Sequence, residues 1–288
     1  MKVLIIQAAG MHDGKRTQYC KNDHMRECLS LQHAFIENGW EADVWGKRFA
    51  NFENPPNFNS YDYLLNLENY EMDWLPDFTK ITNPVKMQWI IDLHCQRPEV
   101  YGRITKNMDI VLHSTKSLIK NYSKIYPNQK HIWFPNGFDN RFFKNRVNKK
   151  TDNIIFIGNL CNRGKLLEIM KTHFGMKLYV MKTGEEMLDL LSKTKINFNM
   201  SISVDVNYRN FETMGSGICL LTNYLPELEE LGFKDGENCY MYKNMNEISI
   251  KIEEALKNEN WKKIANKGEE FSKNHTYVER VKDLIKKI

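Results

Sequence analysis

Residues 207–222 read Asn-Tyr-Arg-Asn-Phe-Glu-Thr-Met-Gly-Ser-Gly-Ile-Cys-Leu-Leu-Thr. A polar turn that carries Arg209 and Glu212 leads into a short helix with small residues, and an apolar strand follows. Backbone amides at the start of such a helix carry a partial positive charge that suits a phosphate group. The stretch predicts a turn, helix and strand of an α/β domain, with an anionic ligand at the turn.

An alternation of apolar runs and helical patterns extends outward from this stretch. In the second half, further strands are predicted at 153–157, which ends at Gly158, at 177–180 and at 196–200. In the first half, the first helix ends at Gly39, and strands are predicted at 2–7, 41–45, 63–67, 87–91 and 109–113. This βαβ rhythm is typical of parallel sheets.

The chain restarts its own pattern near the middle. Apolar periodicity is lost between Arg146 and Asp152, which predicts a domain boundary there. We expect an α/β fold with two Rossmann-like domains, whose parallel sheets face a central cleft that takes the ligands. The expected segments are a first domain at 1–148, a second domain at 149–272 and a final helix at 273–288.

Length and composition bound the class of protein. The 288 residues exceed one typical domain, and the composition, 42% hydrophobic and 27% charged, excludes a disordered or fibrous protein. No apolar run is long enough to span a membrane or to act as a signal peptide, so we expect a soluble cytoplasmic protein, a monomer or weak dimer. The cysteines show no metal-ligand spacing and are interpreted as reduced thiols, with a catalytic cysteine as the minor alternative. They are Cys20, Cys28, Cys95, Cys161, Cys219 and Cys239.

The net charge of +5 is unevenly distributed along the chain. Residues 1–150 carry 21 Lys and Arg against 16 Asp and Glu, whereas 151–288 carry 20 of each. Within 101–150, eleven basic residues stand against only Asp109 and Asp139. Such a surplus attracts a polyanion or a phosphorylated ligand, and a solvated lysine-rich helix surface is the alternative.

Two segments carry the residue types that bind a nucleoside diphosphate. Arg209 offers a planar fork for phosphate oxygens, and Glu212 can accept hydrogen bonds from ribose hydroxyls. Because the two residues are three apart, an intrahelical ion pair is the alternative. In the second segment, 156–165, a glycine turn permits close backbone approach, and Arg163 or Lys165 can neutralise a departing diphosphate.

The stretch 209–217, followed by 225–231, resembles the donor-site signature of the GT-B glycosyltransferases. It is similar to the spore-maturation-protein-like branch (glycosyl transferases group 1), and the resemblance continues through 236–242 and 275–280. It implies that the C-terminal domain binds a nucleotide sugar, that the N-terminal domain binds the acceptor and that the final helix crosses back to it. The retaining enzymes have a glutamate where this chain has Val204, so the stereochemical outcome does not carry over.

The same resemblance implies the donor-binding residues. We expect a nucleoside-diphosphate sugar as co-substrate, with a UDP-sugar favoured, no tightly bound cofactor and no metal. The residues implied are Gly10, Gly158, Asn159, Arg163, Lys165, Lys182, Asn207, Arg209, Glu212, Thr213, Met214 and Gly215.

Asp92 follows the apolar run that begins at Lys86, where a general base can take a proton from an acceptor hydroxyl. A helix cap or an ion pair with Arg97 is the alternative. The pattern resembles the phage DNA β-glucosyltransferases, in which an aspartate at this strand end is the base, and it implies a flipped, hydroxymethylated DNA base as acceptor. The acceptor-side candidates are His94, Arg97, Lys116 and Lys120, and His12, His94 and His113 are alternatives for proton transfer.

The sequence predicts a glycosyltransferase and leaves other functions open. A small metabolite, a lipid-linked or cell-surface sugar and a protein side chain are alternative acceptors. A nucleotide-sugar epimerase would use the donor site alone, and a nucleotide-binding regulatory protein would need no catalytic base.

Overall fold

The computed structural model describes residues 1–9, 25–69, 72–91, 98–146 and 148–288. The chain divides into two compact units. Unit 1 comprises Met1–Asn136 and Tyr277–Ile288, and unit 2 comprises Gly137–Thr276. The sequence placed the boundary later, at 148/149, and the start of the final segment slightly earlier, at 273.

Regular structure in the described residues consists of parallel strands and intervening helices. The strands are β1 (Lys2–Ile6), β2 (Glu41–Trp45), β3 (Tyr63–Asn66), β4 (Val85–Ile90), β5 (Ile110–His113), β6 (Lys130–Trp133), β7 (Asp152–Gly158), β8 (Lys177–Val180), β9 (Thr194–Phe198), β10 (Cys219–Asn223) and β11 (Tyr240–Tyr242). The helices are α1 (Glu27–Glu37), α2 (Pro98–Thr105), α3 (Ile119–Ile125), α4 (Gly164–Phe174), α5 (Gly184–Ser192), α6 (Arg209–Gly215), α7 (Pro226–Glu230), α8 (Met245–Leu256), α9 (Asn260–Ser272) and α10 (Tyr277–Ile285).

Unit 1 is built on a six-stranded parallel sheet with the order β2-β1-β3-β4-β5-β6. Successive side chains of β1 point to opposite faces, so Val3 and Ile5 join one core while Leu4 and Ile6 join another. The first of these cores includes residues of α1 and α10. The last helix of the chain therefore packs in the same unit as the first strand.

Unit 2 is built on a five-stranded parallel sheet with the order β11-β10-β9-β7-β8. Its core combines apolar residues of the central strands, such as Phe156 and Phe198, with residues of α4, α8 and α9. Because every strand runs in the same direction, the carboxyl ends of all five lie on one edge of the sheet. The loops that follow β7, β8 and β9 leave from that edge.

The two parallel sheets confirm the predicted α/β fold with two Rossmann-like halves. Within the described ranges, no helix combines the length and the apolar character needed to cross a lipid bilayer.

Candidate functional site

The two predicted phosphate segments lie at the same edge of the unit 2 sheet. The strand β7 ends at Gly158 and its neighbour β9 ends at Phe198. The loop after β7 leads to α4, and the loop after β9 leads to α6. Adjacent strand ends in a parallel sheet place such loops side by side, where ligands of α/β proteins bind.

Arg163 connects these two loops directly. Its Nε donates to the carbonyl of Met200, 2.6 Å away, and its Nη1 donates to the carbonyl of Asn159, 2.8 Å away. The guanidinium carbon lies 5.9 Å from the centre of the Phe156 ring. The arginine is half-buried at the sheet edge.

Arg209 and Glu212 form an ion pair on α6. Arg209 Nη1 lies 2.8 Å from Glu212 Oε2, and the two side chains are only 13% and 11% exposed. The same Nη1 is 2.8 Å from the sulfur of Met187 on α5. The intrahelical pair that the spacing allowed is thus present, and the ligand roles of both residues stay predictions.

A buried polar network joins β9 to α6, and sequence reasoning missed it. Asn199 Nδ2 donates to Asn210 Oδ1 at 2.8 Å and to Thr222 Oγ1 at 3.2 Å. Two positions earlier, Asn197 Nδ2 donates to Thr213 Oγ1 at 2.7 Å. The available signal was the pair of asparagines at the end of an apolar strand, where asparagine is disfavoured.

Besides Glu212, three of the predicted donor residues are buried in unit 2. Thr213 and Met214 are fully buried, and Thr213 Oγ1 donates to the Arg209 carbonyl. A methyl group at Gly215 would lie 2.2 Å from Phe138 Cε2, so this glycine serves close packing. These three residues pack in the interior of unit 2. Asn207, Tyr208 and Arg209 are more accessible to solvent.

The remaining donor candidates differ in their surroundings. Asn159 and Lys165 are exposed beside Arg163, whereas Lys182, after β8, pairs with Glu186 at 2.5 Å. Asn207 is half-buried, and its Nδ2 donates to Ser201 Oγ at 3.3 Å. Gly10 lies outside the described residues.

The predicted acceptor-side residues of unit 1 are only partly described. Asp92, His94 and Arg97, together with His12, lie outside the described residues. Lys116 is exposed, with its Nζ 5.0 Å from the centre of the Trp133 ring, and Lys120 is exposed on α3. These positions stay predictions.

His113, an alternative for proton transfer, is tied into the interior of unit 1. His131 Nε2 donates to the Tyr126 carbonyl at 2.8 Å, and His131 Nδ1 lies 2.9 Å from His113 Nε2. Burial, reinforced by His131, lowers the pKa of His113 to about 3. The ring is therefore neutral at physiological pH.

The excess of basic residues is divided between the two structural units. Unit 1 carries 20 Lys and Arg against 17 Asp and Glu, and unit 2 carries 21 against 19. Of the eleven basic residues in 101–150, five follow Asn136 and belong to unit 2. The surplus in the first half of the chain is therefore not a surplus of unit 1 alone.

Three of the four described cysteines are buried. Burial raises the pKa of the Cys28 thiol to about 12 and also raises those of Cys219 and Cys239, which disfavours the reactive thiolate. Cys161 is exposed, and Cys20 and Cys95 lie outside the described residues. Among the described side chains, no group of three His, Cys, Asp or Glu is placed to hold a metal ion.

Known proteins are similar to this chain at two levels. Residues 166–286, from α4 to α10, match a family model described as glycosyl transferase-like. Arg163 lies just before that match, and Arg209 and Glu212 lie within it. At the level of sequence, no curated relative matches the chain.

Solved structures share the fold across nearly the whole chain. An α-glucosyltransferase, solved with UDP and a 13-mer DNA containing a HMU base, has a TM-score of 0.67 at 12% identity and covers 99% of this chain and 98% of its own. Sucrose-phosphate synthase from Thermosynechococcus elongatus has a TM-score of 0.65 at 11% identity, covering 99% and 98%. Anabaena HepE, solved with UDP and glucose, has a TM-score of 0.63 at 11% identity and covers 100% of both chains.

These findings confirm the predicted GT-B fold and the glycosyltransferase resemblance, while the spore-maturation-protein-like branch stays a prediction. The neighbour solved with DNA is an α-glucosyltransferase, whereas the sequence resembled β-glucosyltransferases. Residues 166–286 thus belong to a glycosyl transferase-like family by their match to its model, and the chain as a whole has the GT-B fold.

Proposed function

We propose that this enzyme transfers a glycosyl group from a UDP-sugar to a hydroxyl group, with the donor bound at the carboxyl edge of the unit 2 sheet. One observation carries the proposal: Arg163 and α6 both contact the loop after β9. Arg163 bonds the Met200 carbonyl and Asn210 of α6 bonds Asn199, at the sheet edge where α/β domains bind ligands. The same fold holds UDP in two of the solved structures, which supports a uridine nucleotide.

Arg163 and Arg209 supply the positive charge for the donor diphosphate. A guanidinium carries five N–H donors, so Arg209 can keep Glu212 while it donates to a phosphate oxygen. Glu212 then accepts from the ribose hydroxyls. In the reaction the acceptor oxygen bonds to the anomeric carbon, the bond from that carbon to the diphosphate breaks, and the arginines stabilise the departing UDP.

Donor binding is tested by calorimetry and thermal shift with UDP-, GDP- and CDP-sugars. A ligand at about 100 times its Kd adds about 2.7 kcal/mol to stability, which a thermal shift resolves. Arg163→Lys keeps the charge but loses the fork, and we expect it to weaken binding of the UDP-sugar. Lys171→Gln, at an exposed α4 lysine that pairs with Glu168, is the control and leaves binding unchanged. Equal affinity of wild type and Arg163→Lys contradicts the proposed diphosphate contact.

Asp92 is the proposed general base, which accepts the proton of the acceptor hydroxyl as the new bond forms. We expect Asp92→Asn to abolish transfer to an acceptor and to leave the Kd for UDP unchanged. Retained transfer would remove Asp92 from the mechanism.

A hydroxymethylated base in DNA is the acceptor we favour, because one neighbour was solved with such a DNA and because α3 carries an exposed basic pair. Lys120 and Lys124 are one turn apart, and neither has an ion pair within the described part of the chain. DNA binding through these lysines would lower the salt slope of log K by about one for each lysine removed. An unchanged slope in the Lys120→Ala and Lys124→Ala variants counts against DNA and favours a small-molecule or cell-surface acceptor. Conversion of the UDP-sugar into a second sugar without any acceptor would identify an epimerase.

A further inference from the structure

A cluster of three asparagines lies beneath the candidate donor site in unit 2. The asparagine cluster consists of Asn199, Asn207 and Asn210; Asn199 is 3% exposed and Asn210 is fully buried. Asn199 Nδ2 donates to Asn210 Oδ1 at 2.8 Å and lies 3.4 Å from Asn207 Oδ1. Its third acceptor is Thr222 Oγ1 on β10, at 3.2 Å. The buried Asn199 amide thus contacts α6, the loop before α6 and β10.

The cluster sets where α6 begins. Asn210 is the second residue of α6, between Arg209 and Glu212, and its Nδ2 donates to the Asn207 carbonyl at 3.3 Å. Asn199 therefore fixes both the first turn of α6 and the end of the loop before it. The arginine and the carboxylate proposed to grip the nucleotide project from this turn.

The backbone next to Asn199 anchors the other half of the site. The Asn199 carbonyl accepts from the Tyr242 hydroxyl at 3.3 Å, and the next carbonyl, of Met200, accepts from Arg163 Nε at 2.6 Å. Arg163 and α6 are consequently positioned by two consecutive residues. A displacement at Asn199 would change the distance between the two arginines.

Energetics argue for a role of the amide beyond filling space. Leucine has the same branching and needs no hydrogen bonds at a buried position, whereas a buried amide is costly unless its partners are in place. Satisfied buried networks of this kind restrict a site to one geometry. That restriction benefits a site that must match a diphosphate and a ribose together.

We infer that Asn199 is a positioning residue of the UDP-sugar site, holding α6 and the Arg163 loop at the spacing that the donor requires. This inference rests on the proposed function. Asn199 itself contacts no substrate and acts through Asn210 and Met200.

The experiment compares the same substitution at two buried asparagines of unit 2. Asn199→Leu removes the cluster, whereas Asn238→Leu removes a buried amide that bonds the Gly232 carbonyl and the Lys234 amide, ahead of β11 and at the opposite sheet edge. The measurements are the Tm, the Kd for UDP by calorimetry, and the KM and kcat of UDP-glucose hydrolysis. Both variants lower the Tm. We expect Asn199→Leu alone to raise the Kd and the KM about tenfold, with kcat changed by less than about threefold, as the loss of a buried amide's bonds implies.

The possible results distinguish the positioning role of Asn199 from the proposed function. Equal Kd values for wild type and Asn199→Leu overturn the positioning role and leave the proposed function intact. Equal losses of affinity in both variants also overturn it, because they indicate general destabilisation. Failure of the wild type to bind UDP or UDP-glucose overturns the proposed function and this inference with it. If Asn199→Leu does not fold, Asn199→Asp keeps the shape, removes the amide donor and carries the same comparison, with an expected rise in Kd of at least about threefold.

Discussion

The carboxylate of Glu212 pairs with Arg209 in the structure and is proposed to bind ribose, and one binding experiment separates these roles. If Glu212 accepts from the ribose hydroxyls, wild type binds UDP more tightly than 2′-deoxy-UDP, by roughly tenfold, because a hydrogen bond to a charged group contributes about 1.5–3 kcal/mol. In Glu212→Gln the ratio of the two Kd values falls toward one. Calorimetry of both proteins with both ligands measures the coupling between the Glu212 carboxylate and the 2′-hydroxyl. An unchanged preference would leave Glu212 with the ion pair alone.

His113 predicts how stability depends on pH. Its pKa is lowered to about 3 in the folded protein, below the ordinary histidine value, so the unfolded chain binds a proton that the folded chain does not. The stabilisation is present above the unfolded pKa and is lost as the pH falls from there toward 3. Between pH 7 and pH 5, we expect wild type to lose about 2 kcal/mol more unfolding free energy than His113→Asn, measured by urea unfolding. Equal losses would contradict the buried, neutral state of this ring.

At the scale of the element, Gly215 is explained by the close packing of Phe138 against α6. Alanine at Gly215 would gain about 1 kcal/mol of helix propensity, but its methyl group would lie 2.2 Å from Phe138 Cε2. Overpacking of a close contact costs about 1–3 kcal/mol, so we expect Gly215→Ala to be destabilising overall. Gly164→Ala at the start of α4 meets nothing within 4 Å and is the matched control, neutral or stabilising. A Tm that rises in both variants would show that Phe138 moves aside without cost.

At the scale of the whole molecule, the last helix belongs to the unit that contains the first strand. Val281 on α10 is fully buried in the unit 1 core, whereas its neighbour Lys282 is exposed. A buried, unpaired carboxylate costs several kcal/mol, about 3–5 for comparable sites. We therefore expect Val281→Asp to accelerate amide hydrogen exchange in β1 to β6, and Lys282→Asp to leave it unchanged. Faster exchange confined to β7–β11 would show that α10 does not belong to unit 1.

The sequence alone predicted the elements well, because apolar periodicity is a local property of the chain. The predicted strands at 41–45 and 177–180 have the observed bounds, and the strand that ends at Gly158 begins one residue before its prediction. The predicted strand at 196–200 is shifted, since β9 begins at Thr194, a buried polar residue that hydropathy does not favour. The sequence also predicted that 156–165 and 207–217 lie at strand ends, whereas their role in donor binding stays a prediction.

Only the tertiary structure decided which side chains of 207–217 face outward and which are buried. Gly215 is in contact with Phe138, and Asn199 joins Asn210 to Thr222, through packing between segments distant in sequence that no local pattern encodes. The division at Asn136 and the return of α10 to unit 1 likewise depend on which apolar surfaces find each other. Alternation along a chain specifies strands and helices, but it does not specify which of their faces meet, because that choice is made by the shape and hydrogen bonding of surfaces that come together only on folding.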